Sequence, residues 1–135
     1  MGPLEHAAST GNLDGVISLI NNGDIVITYD DKELALRSAA ERGYLEIVKV
    51  LIENGADASS ALEEAALKVA ARYGRLEIVR FLLGKGVDAT ADQSAALRLA
   101  AGNGHLEIVR LLLENGADAT ANQSIALEAA AEYGD

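Results

Sequence analysis

Apolar residues recur along this chain at the three- and four-residue spacing that places side chains on one face of an α-helix. In residues 94–101, Leu97, Ala100 and Ala101 stand at i, i+3 and i+4. The small alanines would let neighbouring helices approach closely. A serine opens three segments of this kind, and serine is a preferred N-cap residue. The predicted N-caps are Ser60, Ser94 and Ser124.

A second type of segment follows each of these first helices except the last. Residues 106–113 are apolar over more than half of the helical circumference, which is expected for a helix packed between layers. Asn115 and Gly116 then end the pattern. The glycine exits predicted to adopt the left-handed conformation are Gly23, Gly55, Gly86 and Gly116.

The helix pairs form an internal repeat. Its clearest unit is Gly-x-Leu-Glu-Ile-Val, which begins at Gly43, Gly74 and Gly104, with a weaker copy at Gly11. We call Gly11, Gly43, Gly74, Gly104 and Gly134 the anchor glycines; their successive spacings are 32, 31, 30 and 30. Seven residues before each anchor stands a leucine. A pair of short helices cannot bury its apolar faces alone, so the repeats must stack on one another.

Residues 100–118 read Ala-Ala-x-x-Gly-x-Leu-Glu-Ile-Val-x-x-Leu-Leu-x-x-Gly-Ala-Asp with little variation. This pattern resembles the ankyrin repeat. The resemblance implies an all-α solenoid and a single domain over 1–135. Its repeats are expected at about 1–28, 29–59, 60–90 and 91–120, with a single C-terminal helix over 121–135.

The chain departs from the ankyrin pattern in three ways, the first being Ser59, Thr90 and Thr120 in place of the asparagine usual after Gly-Ala-Asp-x. Its period of 30 to 32 residues is shorter than the usual ~33 residues. The Thr-Pro-Leu-His opening is missing, with Ala96-Leu97-Arg98 at one of these places. Because the missing residues precede the first helix, we expect short loops in place of full β-hairpin fingers.

Composition narrows the classes of partner and compartment. Eleven Lys and Arg against 21 Asp and Glu give a net charge of −10, which repels a phosphate backbone and argues against nucleic-acid binding. The absence of cysteine excludes disulfides and fits a reducing compartment. No signal-peptide pattern and no apolar run of membrane-spanning length occur. We expect an intracellular, cytoplasmic protein that does not bind membranes.

The candidate motifs for chemistry are better explained by structure. Gly84-Lys85-Gly86 begins a loose dinucleotide-binding pattern, but no strand precedes it. His6 and His105 belong to different columns of the repeat and do not form a metal pair. The pairs Glu46-Lys49, Glu77-Arg80 and Glu107-Arg110 are typical of a solvated helix face. We therefore predict no enzyme, catalytic residue, cofactor or metal site.

The positions around each anchor glycine vary while the scaffold repeats. The resemblance implies that these positions line the concave side, where partners of this family commonly dock. Tyr and Arg, which are enriched at binding hot spots, concentrate there. The candidate partner-binding residues are Glu41, Arg42, Tyr44, Arg72, Tyr73, Arg75, Asn103 and His105.

The function predicted from these features is a monomeric protein–protein interaction scaffold. Two alternatives remain open. The near-identical segments 86–90 and 116–120 also fit an engineered or consensus-derived array without a natural partner. A regulatory ankyrin fragment of a larger protein is the third interpretation.

Overall fold

The computed structural model describes residues 2–54 and 60–116, and all regular secondary structure in these ranges is α-helical. The helices alternate between first and second members of each repeat, as predicted. The first helices are α1 (Pro3–Ser9), α3 (Tyr29–Arg42), α5 (Ser60–Tyr73) and α7 (Ala91–Gly102). The second helices are α2 (Leu13–Asn21), α4 (Leu45–Asn54), α6 (Leu76–Gly84) and α8 (Leu106–Glu114).

The chain divides into two compact units, Met1–Ala66 and Leu67–Asp135. In the first unit α1 packs beside α3, and each pairs with the second helix that follows it, while α2 contacts α4. Ala8, Ala39 and Ala40 are completely buried in the first helices. Since alanine adds only a methyl group, the helix axes can come close without leaving voids.

The second unit repeats this plan. Helix α8 packs against both α7 and α6. The core of the second unit contains buried aliphatic side chains from all four helices, including Leu67, Leu82, Leu97 and Leu112. Leu67 and Leu97 belong to the predicted leucine column, so the column is the part of each first helix that faces the core.

Glycines with positive φ connect the helices. The anchor glycines Gly11, Gly43, Gly74 and Gly104 all have φ between 76° and 84°, a region that side chains with Cβ disfavour. The left-handed exits predicted at Gly86 and Gly116 are confirmed, with φ of 90° and 96°.

The same prediction was wrong for Gly23 and lies outside the described residues for Gly55. After α2, the side-chain oxygen of Asn22 accepts a hydrogen bond from the Asp24 backbone N–H at 2.9 Å. This Asn-centred turn reverses the chain with Asn22 in an extended conformation. A left-handed glycine is therefore not needed at this exit.

The helix starts differ from the predicted N-caps. Ser60 is the first residue of α5 rather than the cap that precedes it, and α7 begins at Ala91, three residues before the predicted cap Ser94. Residues Asp88 and Thr90 form a hydrogen-bonded turn that starts the helix early. Ser94 then lies inside α7, completely buried, with φ of 59°. Its predicted role as an N-cap was wrong.

The loops between repeats are short. Within the described part of the chain, residues 22–28 and 85–90 link α2 to α3 and α6 to α7 without forming a strand. This confirms the prediction of short loops in place of β-hairpin fingers. The C-terminal single helix predicted over 121–135 and its cap Ser124 lie outside the described residues.

Candidate functional site

Three of the eight candidate residues belong to the first unit and stand at the end of α3. Arg42 is the last residue of this helix and is exposed, whereas Glu41 and Tyr44 are half-buried. Gly43 separates Arg42 from Tyr44 and makes the left-handed turn between α3 and α4.

The other five candidates belong to the second unit. Arg72 and Tyr73 end α5 and are exposed, with the Arg72 guanidinium carbon 5.5 Å from the centroid of the Tyr73 ring. Arg75 and His105 are half-buried residues that precede α6 and α8. Exposed Asn103 donates from its side-chain amide to the Leu99 carbonyl at 2.8 Å, which caps the end of α7.

Tyr44 packs against the anchor glycine of the preceding repeat. A Cβ added at Gly11 would stand 3.0 Å from Cζ of the Tyr44 ring and 3.4 Å from its hydroxyl oxygen. The absence of a side chain at Gly11 therefore makes room for the tyrosine ring. Tyr44 joins two repeats of the first unit, in addition to any role in binding a partner.

His105 makes the equivalent contact in the second unit. A Cβ at Gly74 would stand 2.7 Å from Cε1 of the His105 ring and 2.8 Å from Nδ1. The ring is also held by a hydrogen bond of 2.9 Å between Nε2 and the backbone carbonyl oxygen of Arg72. With the carbonyl as acceptor, Nε2 is the protonated ring nitrogen in this contact.

This packing role of Tyr44 and His105 was missed at the level of sequence. The available signal was the pairing of two columns: an invariant glycine in one repeat and a ring-bearing residue after the anchor of the next. Gly11 and Gly74 each have two structural roles. Each adopts the left-handed conformation of the turn, and each leaves space for the ring of a residue in the next repeat. The repeat pattern by itself indicates only the turn.

The second helices carry exposed ion pairs. Arg80 lies 3.4 Å from Glu77 in α6, and Arg110 lies 3.2 Å from Glu107 in α8. Lys49 and Glu46 form the corresponding pair of α4 at 3.7 Å. These contacts confirm the prediction of a solvated helix face, and each adds about 0.2–0.5 kcal/mol to helix stability.

One carboxyl group has a shifted pKa. The Oδ1 atom of Asp88 accepts hydrogen bonds from the hydroxyl of Thr90 at 2.6 Å and from its backbone N–H at 2.8 Å. The bond from the hydroxyl, followed by that from the backbone, lowers the pKa of Asp88 from its ordinary value of 3.8. Asp88 is exposed, and its two hydrogen bonds with Thr90 form the turn that precedes α7.

Three other features were considered in the described residues: a dinucleotide-binding loop, a metal site and a membrane-spanning helix. Gly84 ends α6 and Gly86 makes a left-handed exit, so the loose dinucleotide pattern follows a helix. Residues 2–54 and 60–116 contain no group of three His, Asp or Glu side chains arranged to hold a metal ion. Over the same ranges, no helix has the length and apolar character needed to cross a bilayer.

Short helix pairs repeated every 30 to 32 residues, with glycine turns in register, define a helical repeat protein. The chain matches the family model described as ankyrin repeats (3 copies) over residues 4–93 and 67–135. These stretches cover nearly all of the sequence, and the chain belongs to the ankyrin repeat family. A search of curated proteins finds no match. Ankyrin repeats are generally protein–protein interaction modules, and the family is typically non-enzymatic.

Proposed function

We propose that this chain is a protein-binding scaffold without catalytic activity. Its partner contacts the ends of the first helices and the turns that follow them, the surface that ankyrin proteins present on their concave side. The observation that carries this proposal is the exposed pair Arg72 and Tyr73, which projects from the end of α5.

The contrast between the two kinds of helix supports the choice of surface. On the second helices, exposed arginines are neutralised by a glutamate one turn away. At the end of α5, the Arg72 guanidinium carbon instead lies 5.5 Å from the centroid of the Tyr73 ring. Because these helices are anchored by a packed aliphatic core, a partner would meet side chains whose backbone is already ordered.

Tyr44 and His105 have a packing role rather than the direct partner contact expected from the sequence. Both are half-buried and pack on an anchor glycine of the preceding repeat. We assign them mainly to positioning the turns, and we assign direct contact with the partner to their exposed neighbours. In the second unit those neighbours are Arg72, Tyr73 and Asn103.

A capture experiment tests this proposal. The wild-type chain is used as bait beside two variants, R42A/R72A/Y73A at the ends of the first helices and the control R80A/R110A on the second helices, each of which removes two positive charges. Circular dichroism and urea unfolding establish that both variants fold. We expect the first variant to lose a partner that the control retains. If the control loses the partner and the first variant keeps it, the proposed surface is wrong.

A further inference from the structure

The described residues of the second unit, 67–116, differ in charge from the rest of the chain, whereas residues 117–135 of the same unit add four acidic residues and no basic one. Residues 67–116 contain seven Lys and Arg against five Asp and Glu. All other positions together contain four basic and sixteen acidic residues. A locally cationic region therefore stands within a protein whose net charge is −10.

Four of these seven basic residues are arginines inside helices, and they fall into two groups. Arg80 and Arg110, on the second helices, each contact a glutamate three residues earlier. Arg72 and Arg98, on the first helices, are exposed, and none of the residues three or four positions before or after either arginine is acidic. Within their own helices, these two arginines thus lack the carboxylate one turn away that Arg80 and Arg110 have.

The side chain and the backbone carbonyl of Arg72 are both held by neighbouring rings. Its guanidinium lies 5.5 Å from the Tyr73 ring, within the range of a cation–π interaction. Its backbone carbonyl is held by His105 at 2.9 Å. Tyr73 remains 41% exposed, so one part of the ring orders the arginine while the rest is open to a partner.

Arg98 lies on α7, the neighbouring first helix of this unit, whose following turn reaches the end of α5 through His105. One helical turn after Arg98 comes Gly102, which is exposed and has no atom within 4 Å of an added Cβ. Open space therefore follows Arg98 along the exposed side of α7. A bound segment can approach the helix backbone there without meeting a side chain.

We propose that Arg72, Tyr73 and Arg98 form a docking surface for a segment rich in Asp and Glu on a partner protein. We call these three residues the cationic patch. The inference rests on the proposed scaffold function and adds the chemistry of the partner. Guanidinium groups bind carboxylates through paired hydrogen bonds, and Tyr73 supplies apolar contact beside them.

Charge also favours a short acidic segment over a nucleic acid. A duplex carries a phosphate charge about every 1.7 Å, and a long polyanion would extend over acidic regions of this chain. An acidic segment of a few residues can remain on the cationic patch. The excess negative charge elsewhere then steers the segment towards the patch and away from other surfaces.

The test uses the full chain and a short fluorescent peptide of alternating Glu and Leu. A peptide with Gln at every Glu position serves as the uncharged control. Fluorescence polarisation at low and physiological ionic strength reports affinity. Two protein variants carry the same change in net charge: R72A/R98A on the cationic patch and R80A/R110A on the second helices.

We expect the Glu peptide to bind the wild type about tenfold more tightly than the Gln peptide, and R72A/R98A to lose about the same factor, since each exposed contact adds a few-fold. R80A/R110A should stay within about twofold of the wild type. Equal losses in the two variants, or equal binding of the two peptides, would overturn the inference. Tighter binding of a single-stranded oligonucleotide than of the Glu peptide would also overturn it.

Failure of this inference is distinguishable from failure of the scaffold function. If wild type captures a partner that R72A/R98A also retains, and the Glu peptide does not compete, the cationic patch is wrong and the scaffold function stands. If wild type captures no saturable partner through any surface, the scaffold function itself fails.

Discussion

Gly74→Ala is the substitution that best separates the two roles of an anchor glycine. The alanine backbone must keep φ near 78°, which is unfavourable for a residue with a Cβ atom. The added Cβ would also stand 2.7 Å from Cε1 of the His105 ring. Gly86→Ala isolates the first effect. Gly86 has φ of 90° but no atom within 4 Å of an added Cβ.

The magnitudes follow from these two environments. A left-handed alanine costs about 1–2 kcal/mol, partly offset by about 0.4–1 kcal/mol from the stiffer unfolded chain, so Gly86→Ala should cost about 1 kcal/mol. In Gly74→Ala the His105 ring must also move. The overlap and the lost bond to the Arg72 carbonyl add about 2 kcal/mol, giving a total of about 3 kcal/mol.

Urea unfolding followed by far-ultraviolet circular dichroism measures these differences. A double-mutant cycle with His105→Ala then identifies the source of the excess, because removal of the ring leaves space for the new methyl group. We expect a coupling free energy of about 2 kcal/mol between positions 74 and 105. Equal penalties for Gly74→Ala and Gly86→Ala, or an excess that persists in the His105→Ala background, would refute the reasoning.

Three further predictions concern the second unit. At Ser94, which has φ of 59°, glycine should be tolerated better than alanine by about 1 kcal/mol in thermal unfolding, whereas the order should reverse at Ser38 in α3. The pKa of Asp88 should lie below 3.8 in a carboxyl NMR titration and return towards 3.8 in Thr90→Val; an unchanged value would contradict the assigned hydrogen bonds. Because the folded-state pKa is lowered, the Asp88 turn stabilises the fold above pH 3.8, and this contribution is lost as the pH falls through the lowered pKa. Glu107→Gln should change the free energy of unfolding by no more than about 0.5 kcal/mol, and a larger loss would show that its ion pair is not solvated.

Much of the fold was readable from the sequence because helix formation and burial follow local periodicity. The segment predicted as a helix over 106–113 is α8, Leu106–Glu114, and the leucine column predicted at positions 67 and 97 is completely buried or nearly so. The left-handed conformation at Gly86 also followed from its place after an apolar helix. Each of these predictions depends on residues within one helix pair.

The candidate partner-binding residues were selected by exposure and residue type, and this criterion holds in part. Arg42, Arg72 and Tyr73 are exposed, whereas Tyr44 and His105 are half-buried. The sequence identified the variable columns but could not divide them into packing and exposed members. That division depends on which atoms of the preceding repeat lie beneath each ring.

The sequence by itself determined the helix pairs, their glycine turns and the family. The tertiary structure decided the contacts that cross from one repeat to the next. It placed the His105 ring on Gly74, some thirty residues earlier, and buried Ser94 in a left-handed conformation inside α7. Periodicity and capping preferences act over one or two helical turns, but packing between repeats is set by atoms far apart in the chain.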